Sequence, residues 1–251
     1  MNIVNNAYLL PNWLAITFKL YKNNAMKKKA TKIDRIRHSL AHIMAAAVQE
    51  IYPGTKFGIG PTIENGFYYD FDLPIPVSEN DLKKIERKMR ELIRKNIRFE
   101  KKVVSKREAK KMLKGQPYKL ELIEKIPEKN VSIYKSGNFL DLCKGPHIKS
   151  TEEIDAAGFK LRKISGAYWL GSEKNPMLTR IYGLAFETKK QLKEFLEKET
   201  EAKKRDHRVL GKNLDLFHID ENIGPGLILW HPKGALLKRL VENYALDEYL
   251  K

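Results

Sequence analysis

The 251-residue sequence holds a single cysteine, Cys143, so an internal disulfide is excluded and nothing points to an oxidising compartment. The cytoplasm is the expected location. Acidic residues are also scarce: 31 Asp and Glu face 48 Lys and Arg, a formal charge of +17, which favours a polyanionic partner, nucleic acid above all. Long apolar runs are missing. Ala7 to Phe18 is broken at Pro11-Asn12, is too short for a membrane span, and has no Lys or Arg before it as a signal peptide requires, so no membrane role is expected. No repeat or low-complexity tract is present. Gly58-Ile59-Gly60 is too short for a phosphate-binding loop and falls between predicted strands.

What is present centres on two short motifs about a hundred residues apart. The first is His38-Ser39-Leu40-Ala41-His42; the second is Asp141-Leu142-Cys143-Lys144-Gly145-Pro146-His147, in which Cys143 and His147 repeat the same four-residue step. Three imidazoles and one thiol are offered as two pairs. That donor set suits either a tetrahedral metal site, with His38, His42, Cys143 and His147 as the zinc ligands, or a site that activates water for hydrolysis. A bare His-x-x-x-His is most often an exposed helix surface; the thiol-imidazole pair in a Gly-Pro turn is what points to chemistry.

Periodicity supplies the scaffold. A helix is expected from an N-cap at Asp34 to about Tyr52, with Ile36, Leu40, Ile43, Ala47 and Ile51 as its apolar stripe and His38, His42, Ala45 and Gln49 opposite, lining a cavity. Strands are expected over Lys56 to Ile63 and Gly66 to Leu73. A helix capped by Ser78 follows, burying Leu82, Ile85, Met89, Leu92 and Ile93, then a strand over Arg98 to Val104 and a short helix from Ser105. Tyr118 to Ile126 reads as helix; Val131 to Tyr134, Phe139 to Leu142, Phe159 to Ile164 and Leu178 to Ala185 read as strands. The pattern argues for an α+β domain, an antiparallel sheet packed with helices. One long charged helix is expected from Thr188 to Arg208, then a strand-like Leu227 to Trp230 and a final helix from Pro232 to about Tyr249. His207, His218 and His231 have no partner at metal spacing and read as surface or linker residues, while Tyr168 and Trp169 read as core aromatics.

The motifs together carry a resemblance. The His-Ser-Leu-Ala-His pair, Gly60-Pro61-Thr62-Ile63-Glu64-Asn65-Gly66-Phe67-Tyr68-Tyr69-Asp70-Phe71, the Asp141 to His147 segment, Gly166-Ala167-Tyr168-Trp169 and Arg180-Ile181-Tyr182-Gly183 stand in the order seen in the editing domain of bacterial-type threonyl-tRNA synthetases. Lys204 to Gly211 resembles that family's linker into its catalytic domain. Residues 1–25 read as a leader ahead of Met26-Lys27-Lys28-Lys29, and the resemblance implies an editing domain over 26–187, a linker helix over 188–211 and the incomplete start of a class II catalytic domain over 212–251. It also implies that the ATP site is absent from this chain, so that ligation would need a catalytic domain supplied elsewhere.

A synthetase for threonine must reject serine, one methyl smaller, and that contact discriminates by only about 1 to 3 kcal/mol. A second, hydrolytic pocket removes the error. By resemblance His38, His42, Lys119, Asp141, Cys143 and His147 form that pocket for seryl-tRNA(Thr), with tRNA(Thr) presenting its acceptor end. His38 and Cys143 would position or activate water, Lys119 would stabilise charge at the ester or terminal ribose, and Asp141 would orient a neighbour. From chemistry alone Lys119 reads as solvated and Asp141 as a turn cap. Threonyl-type editing implies no required metal, whereas a related His and Cys pattern binds zinc in alanyl-tRNA editing proteins. The competing expectation is a non-catalytic tRNA-binding or assembly module of a split synthetase. The basic helices between Lys83 and Lys114 could track the tRNA backbone, although a solvated face explains part of their charge. The apolar residues beyond Asp206 are expected to be loosely docked in isolation or to pair with another chain, as a homodimer or with a separately encoded catalytic domain.

Overall fold

The computed structural model describes residues 30–251 apart from Glu221 and Pro225. The expected leader lies outside the described residues. Among these, the chain forms two compact units: the first runs to Ala156 and resumes over Lys160–Ala185, and the second comprises Ala157–Phe159 with Phe186–Lys251.

In the first unit, helix α1 spans Lys32–Ile51. Its N-cap is Thr31, not Asp34. Thr31 Oγ1 accepts the Asp34 backbone N–H at 3.3 Å, and Asp34 Oδ2 accepts the Thr31 N–H at 3.0 Å, so the acid serves as the third-position half of a capping box. The expected division into a greasy side and a cavity side also gives way. Every residue from Ser39 to Val48 is buried, His42 and Ala45 as fully as Leu40 and Ile43, while Gln49 is exposed.

A five-stranded antiparallel sheet holds β1 (Lys56–Phe57), β2 (Thr62–Ile63), β3 (Gly66–Asp72), β7 (Phe159–Tyr168) and β8 (Met177–Ala185), ordered β1-β3-β8-β7 with β2 also on β3. The single strand expected over Lys56 to Ile63 is thus two short ones. Between them the backbone closes over the Tyr69 ring, and a Cβ on Gly60 would stand 2.1 Å from that ring, so only glycine fits the crossing. Phe67, Tyr69 and Phe71 are fully buried on one side of β3, and α1 packs on that strand. Burying each such ring contributes roughly 1.5–3 kcal/mol.

A second antiparallel sheet is ordered β4-β5-β6, with β4 at Phe99–Ser105, β5 at Asn130–Ser136 and β6 at Phe139–Leu142. Lys101 lies opposite Tyr134, and Tyr134 opposite Asp141, so these three residues share one face across the three strands. Helix α2 (Glu79–Arg94) is capped by Ser78 with Asp81 and buries the five residues expected of it. Helices α3 (Lys106–Met112) and α4 (Pro117–Lys125) complete this unit.

In the second unit the single long charged helix is instead α5 (Lys189–Lys204) and α6 (His207–Asn213). Asp206 ends the run because its carboxylate accepts the Arg208 backbone N–H at 2.8 Å and pairs with the Arg208 guanidinium, a new N-cap inside the charged stretch. Strands β9 (Phe217–Ile219) and β10 (Ile228–Trp230) form an antiparallel hairpin, and α7 spans Pro232–Tyr249. Leu236, Leu237, Leu240, Val241 and Tyr244 on α7 are all more than half exposed.

Candidate active site

The two motifs meet. Helix α1 brings His38 and His42, one turn apart, against the turn that follows β6, which carries Cys143 and His147. That turn is anchored to β5 at both ends of the Cys143 peptide: the Cys143 N–H donates to the Ser132 carbonyl at 3.1 Å, and the Ser132 hydroxyl donates to the Cys143 carbonyl at 2.5 Å. Gly145 has φ +74°, and a Cβ there would meet the Tyr134 hydroxyl at 2.3 Å, so glycine is required twice over.

One proton arrangement satisfies every contact around the thiol. The Pro146 carbonyl can only accept, so His38 Nδ1 donates to it at 3.2 Å, and His38 Nε2 is left bare, 3.2 Å from Cys143 Sγ. The Ser39 hydroxyl accepts the Ile148 N–H at 3.2 Å and so turns its own proton to His147 Nδ1 at 3.0 Å. His147 Nε2–H then points to Sγ at 3.3 Å, and the thiol proton goes to His38. The Gly145 N–H is a further donor to Sγ at 3.3 Å. The His147 ring is clamped by His38 at 4.1 Å, Tyr134 at 4.5 Å and Phe99 at 5.1 Å between centroids.

Behind this cluster lies a buried charged network. Asp141 accepts the Tyr69 hydroxyl at 2.6 Å, pairs with Lys119 Nζ at 2.5 Å and faces His42 Nε2 at 3.4 Å; Lys119 also donates to the Tyr69 oxygen at 3.0 Å. Lys119 and Asp141 are each 2% exposed, which corrects the chemistry-only readings of a solvated lysine and a turn-capping aspartate. A buried pair of this kind survives because each charge is the other's solvent.

Burial sets the protonation of the site. It pushes the Cys143 thiol up to about 12, so the sulfur is a protonated donor rather than a thiolate. Burial likewise lowers His38, His42 and His147 below the usual imidazole value, the last two strongly and with help from the neighbouring imidazoles. All three rings are therefore neutral near pH 7 and able to accept a proton or a metal. The donor atoms of His38, His42, Cys143 and His147 lie within 4.8 Å of one another, and His42 Nδ1 is buried with no hydrogen-bond partner. These four side chains suit a zinc ion, and the outer ring nitrogens of His38 and His147 are already held by Pro146 and Ser39, as metal ligands require.

Three contributors escaped the sequence reading. Tyr69 stood in the Gly60 to Phe71 motif with no role assigned, Ser39 as a polar residue between two histidines, and the Pro146 carbonyl was not singled out at all. Of the aromatic pair, Trp169 is buried and donates to Glu121 at 2.7 Å, as a core residue should, but Tyr168 is 40% exposed. In the second unit His218 is exposed, and the two histidines make contacts that their spacing did not show: His231 Nδ1 donates to Asp215 Oδ1 at 2.7 Å, and the two rings meet at 2.6 Å between His218 Nδ1 and His231 Nε2.

Residues 131–182 match the family described as the threonyl and alanyl tRNA synthetase second additional domain. That segment holds Asp141, Cys143 and His147. The threonine–tRNA ligase of Oleidesulfovibrio alaskensis is 55% identical over 218 residues, covering 86% of this chain and 34% of the relative. Those of Borrelia garinii subsp. bavariensis and Gloeobacter violaceus are each 49% identical, over 92% and 93% of this chain and 39% and 38% of their own. The chain is homologous to threonine–tRNA ligases. It spans between about a third and two fifths of the length of these curated relatives. His38, His42 and Lys119 lie before the matched family segment and reach its Asp141, Cys143 and His147 only through the fold.

Proposed function

We propose that the first unit hydrolyses the aminoacyl ester of seryl-tRNA(Thr), the editing half of a threonine–tRNA ligase. The observation that carries this reading is the closed chain of contacts from Ser39 through His147 and Cys143 to His38, in a chain homologous to threonine–tRNA ligases. Neutral imidazoles and a protonated thiol make a poor nucleophile but a good cradle for water. In the proposed reaction Cys143 and His147 hold a water by hydrogen bonds, the bare His38 Nε2 takes its proton as the oxygen attacks the ester carbonyl, and the tetrahedral oxyanion forms near Lys119. Asp141 faces His42 and pairs with Lys119, which holds both side chains in place. The sparing of threonyl esters would come from the walls around His147, whose ring is held by Phe99 and Tyr134.

The domain proposal follows the same family: an editing domain over 26–187, a linker over 188–211 and the start of a class II catalytic domain over 212–251. The exposed apolar side of α7 supports it, since Leu236, Leu237, Leu240 and Val241 suit burial against further protein, whether a second copy or the rest of a catalytic domain. Ligation is not proposed for this chain by itself.

A second reading is zinc-dependent hydrolysis, favoured by the unpartnered His42 Nδ1 and the four converging donors. Bound there, zinc would supply a water acidified by the metal. The water-only reading is preferred because the homology is to threonine–tRNA ligases. The test is deacylation of seryl-tRNA(Thr) and threonyl-tRNA(Thr) by the purified protein without ATP. Loss of the seryl ester with the threonyl ester spared is expected; tRNA binding with both esters intact would instead establish a non-catalytic binding module.

A further inference from the structure

His38 and His147 are the same chemical group in nearly the same place. Their rings stack at 4.1 Å between centroids, both are half-buried, and each sets its Nε2 against the Cys143 sulfur, at 3.2 and 3.3 Å. What makes them unlike is the partner behind each Nδ1. For His38 it is the Pro146 carbonyl, which only accepts. For His147 it is a hydroxyl, which can donate or accept, so the outcome depends on where the Ser39 proton is sent.

Ser39 lies on α1 between the two histidines of the first motif and is fully buried. Among the described residues its hydroxyl has two hydrogen-bond neighbours, the Ile148 backbone N–H at 3.2 Å and His147 Nδ1 at 3.0 Å. The first can only donate. Were His147 Nδ1 to donate as well, the hydroxyl proton would be enclosed without an acceptor, and a buried donor left unpaired is the costlier arrangement. The hydroxyl therefore donates to a bare Nδ1, and the one proton of the neutral ring sits on Nε2.

We propose that Ser39 is a positioning residue that fixes His147 as a hydrogen-bond donor to the reaction centre and so leaves the part of base to His38. Ser39 touches neither ester nor water and acts through His147. With both Nε2 atoms bare, two acceptors would compete for one thiol proton and neither ring would offer a donor. With one donor and one acceptor, a water held by His147 Nε2–H can present its own proton to His38 Nε2. The assignment rests on the reading of the site as an ester hydrolase, but half of its test needs no turnover.

Thr151 supplies the control. It too is fully buried, and its hydroxyl accepts the Ile97 N–H at 2.9 Å and donates to the Ile93 carbonyl at 2.8 Å, the same bridge with no imidazole in it. The test is nitrogen NMR of the imidazoles in the chelated, dialysed full chain near neutral pH, together with seryl-tRNA(Thr) deacylation and urea unfolding of Ser39→Ala, Ser39→Thr and Thr151→Val. In the unsubstituted chain His147 is expected to show a protonated Nε2 and a bare, hydrogen-bonded Nδ1, and His38 the reverse. Ser39→Ala is expected to abolish the hydrogen-bond shift at His147 Nδ1 and to lower kcat about ten- to a hundredfold with KM changed by less than about twofold, because a displaced donor acts on the reacting geometry and not on binding. Ser39→Thr keeps the hydroxyl and is expected to recover most of both. Thr151→Val is expected to lose stability comparably but to keep kcat within about twofold. A proton on His147 Nδ1 in the unsubstituted chain would overturn the proposal, as would a kcat for Ser39→Ala no lower than that of Thr151→Val; the hydrolase reading would stand in either case. If no protein cleaves the ester, that reading falls, and the nitrogen signals still decide whether Ser39 holds His147 as a donor.

Discussion

Two histidine clusters in this molecule differ in almost everything but their residue types. In the first unit His38 and His42, on a helix buried from Ser39 to Val48, pack with His147 around Cys143, with a fully enclosed Asp141 and Lys119 behind them. In the second unit His218, His231 and Asp215 make equally short contacts, yet the Asp215 side chain is 74% exposed. Hydrogen-bond geometry alone does not separate them. Desolvation does: it depresses the imidazole of buried His42 and those of half-buried His38 and His147, and it raises the half-buried thiol. The α7 helix that follows His231 shows the same contrast, with its apolar residues exposed where those of α1 are covered.

The largest effect expected from this contrast is at the buried ion pair. Lys119→Met leaves Asp141 charged and without its cation, and unfolding by urea should show a loss of about 3–5 kcal/mol. The double variant Lys119→Met/Asp141→Asn should recover a good part of that loss while remaining inactive on the ester. A loss below about 1 kcal/mol for the single variant would mean that the pair is wetter than the structure has it.

Acid should come next. The folded-state values of His38, His42 and His147 lie below the ordinary value near 6.5, so above that pH both folded and unfolded chains are neutral at these rings and stability does not depend on them. As pH falls through 6.5 the unfolded chain takes up protons that the folded chain refuses. Stability then falls by as much as about 1.4 kcal/mol per pH unit for each of these histidines. Urea midpoints between pH 7.5 and 5 check this, and His38→Gln/His147→Gln should flatten the decline. An unchanged slope in that variant would assign the acid sensitivity elsewhere.

The smallest effect is expected in the exposed cluster. His218→Ala should change stability by no more than about 0.5 kcal/mol and leave seryl-ester hydrolysis untouched. A loss above about 2 kcal/mol would show that exposure is the wrong measure of what these contacts are worth.

Much of this site could be read from residue spacing. The four-residue steps of both motifs placed His38 with His42 and Cys143 with His147, and the stripe from Leu82 to Ile93 was buried as its period required. Lys119 and Asp141 were another matter: a lysine in a lysine-rich chain carries no local sign of burial, and only family resemblance picked it out. The Asp34 cap was misplaced because a capping box offers two polar residues, and the sequence does not say which stands at the boundary. The helix break at Asp206 was hidden by charge on every side. Asp215 with His231 was missed because a contact across a hairpin has no fixed sequence interval.

The most direct test of the central claim is the rate of seryl-tRNA(Thr) deacylation by chelated, dialysed protein of verified metal content, beside the His38→Ala variant prepared in the same way. Full activity in the metal-free protein and a loss of about a hundredfold or more in His38→Ala are predicted, since a positioned general base contributes roughly 10²–10⁴. Activity that vanishes on chelation and returns with one equivalent of zinc would contradict the account and make His38, His42, Cys143 and His147 metal ligands.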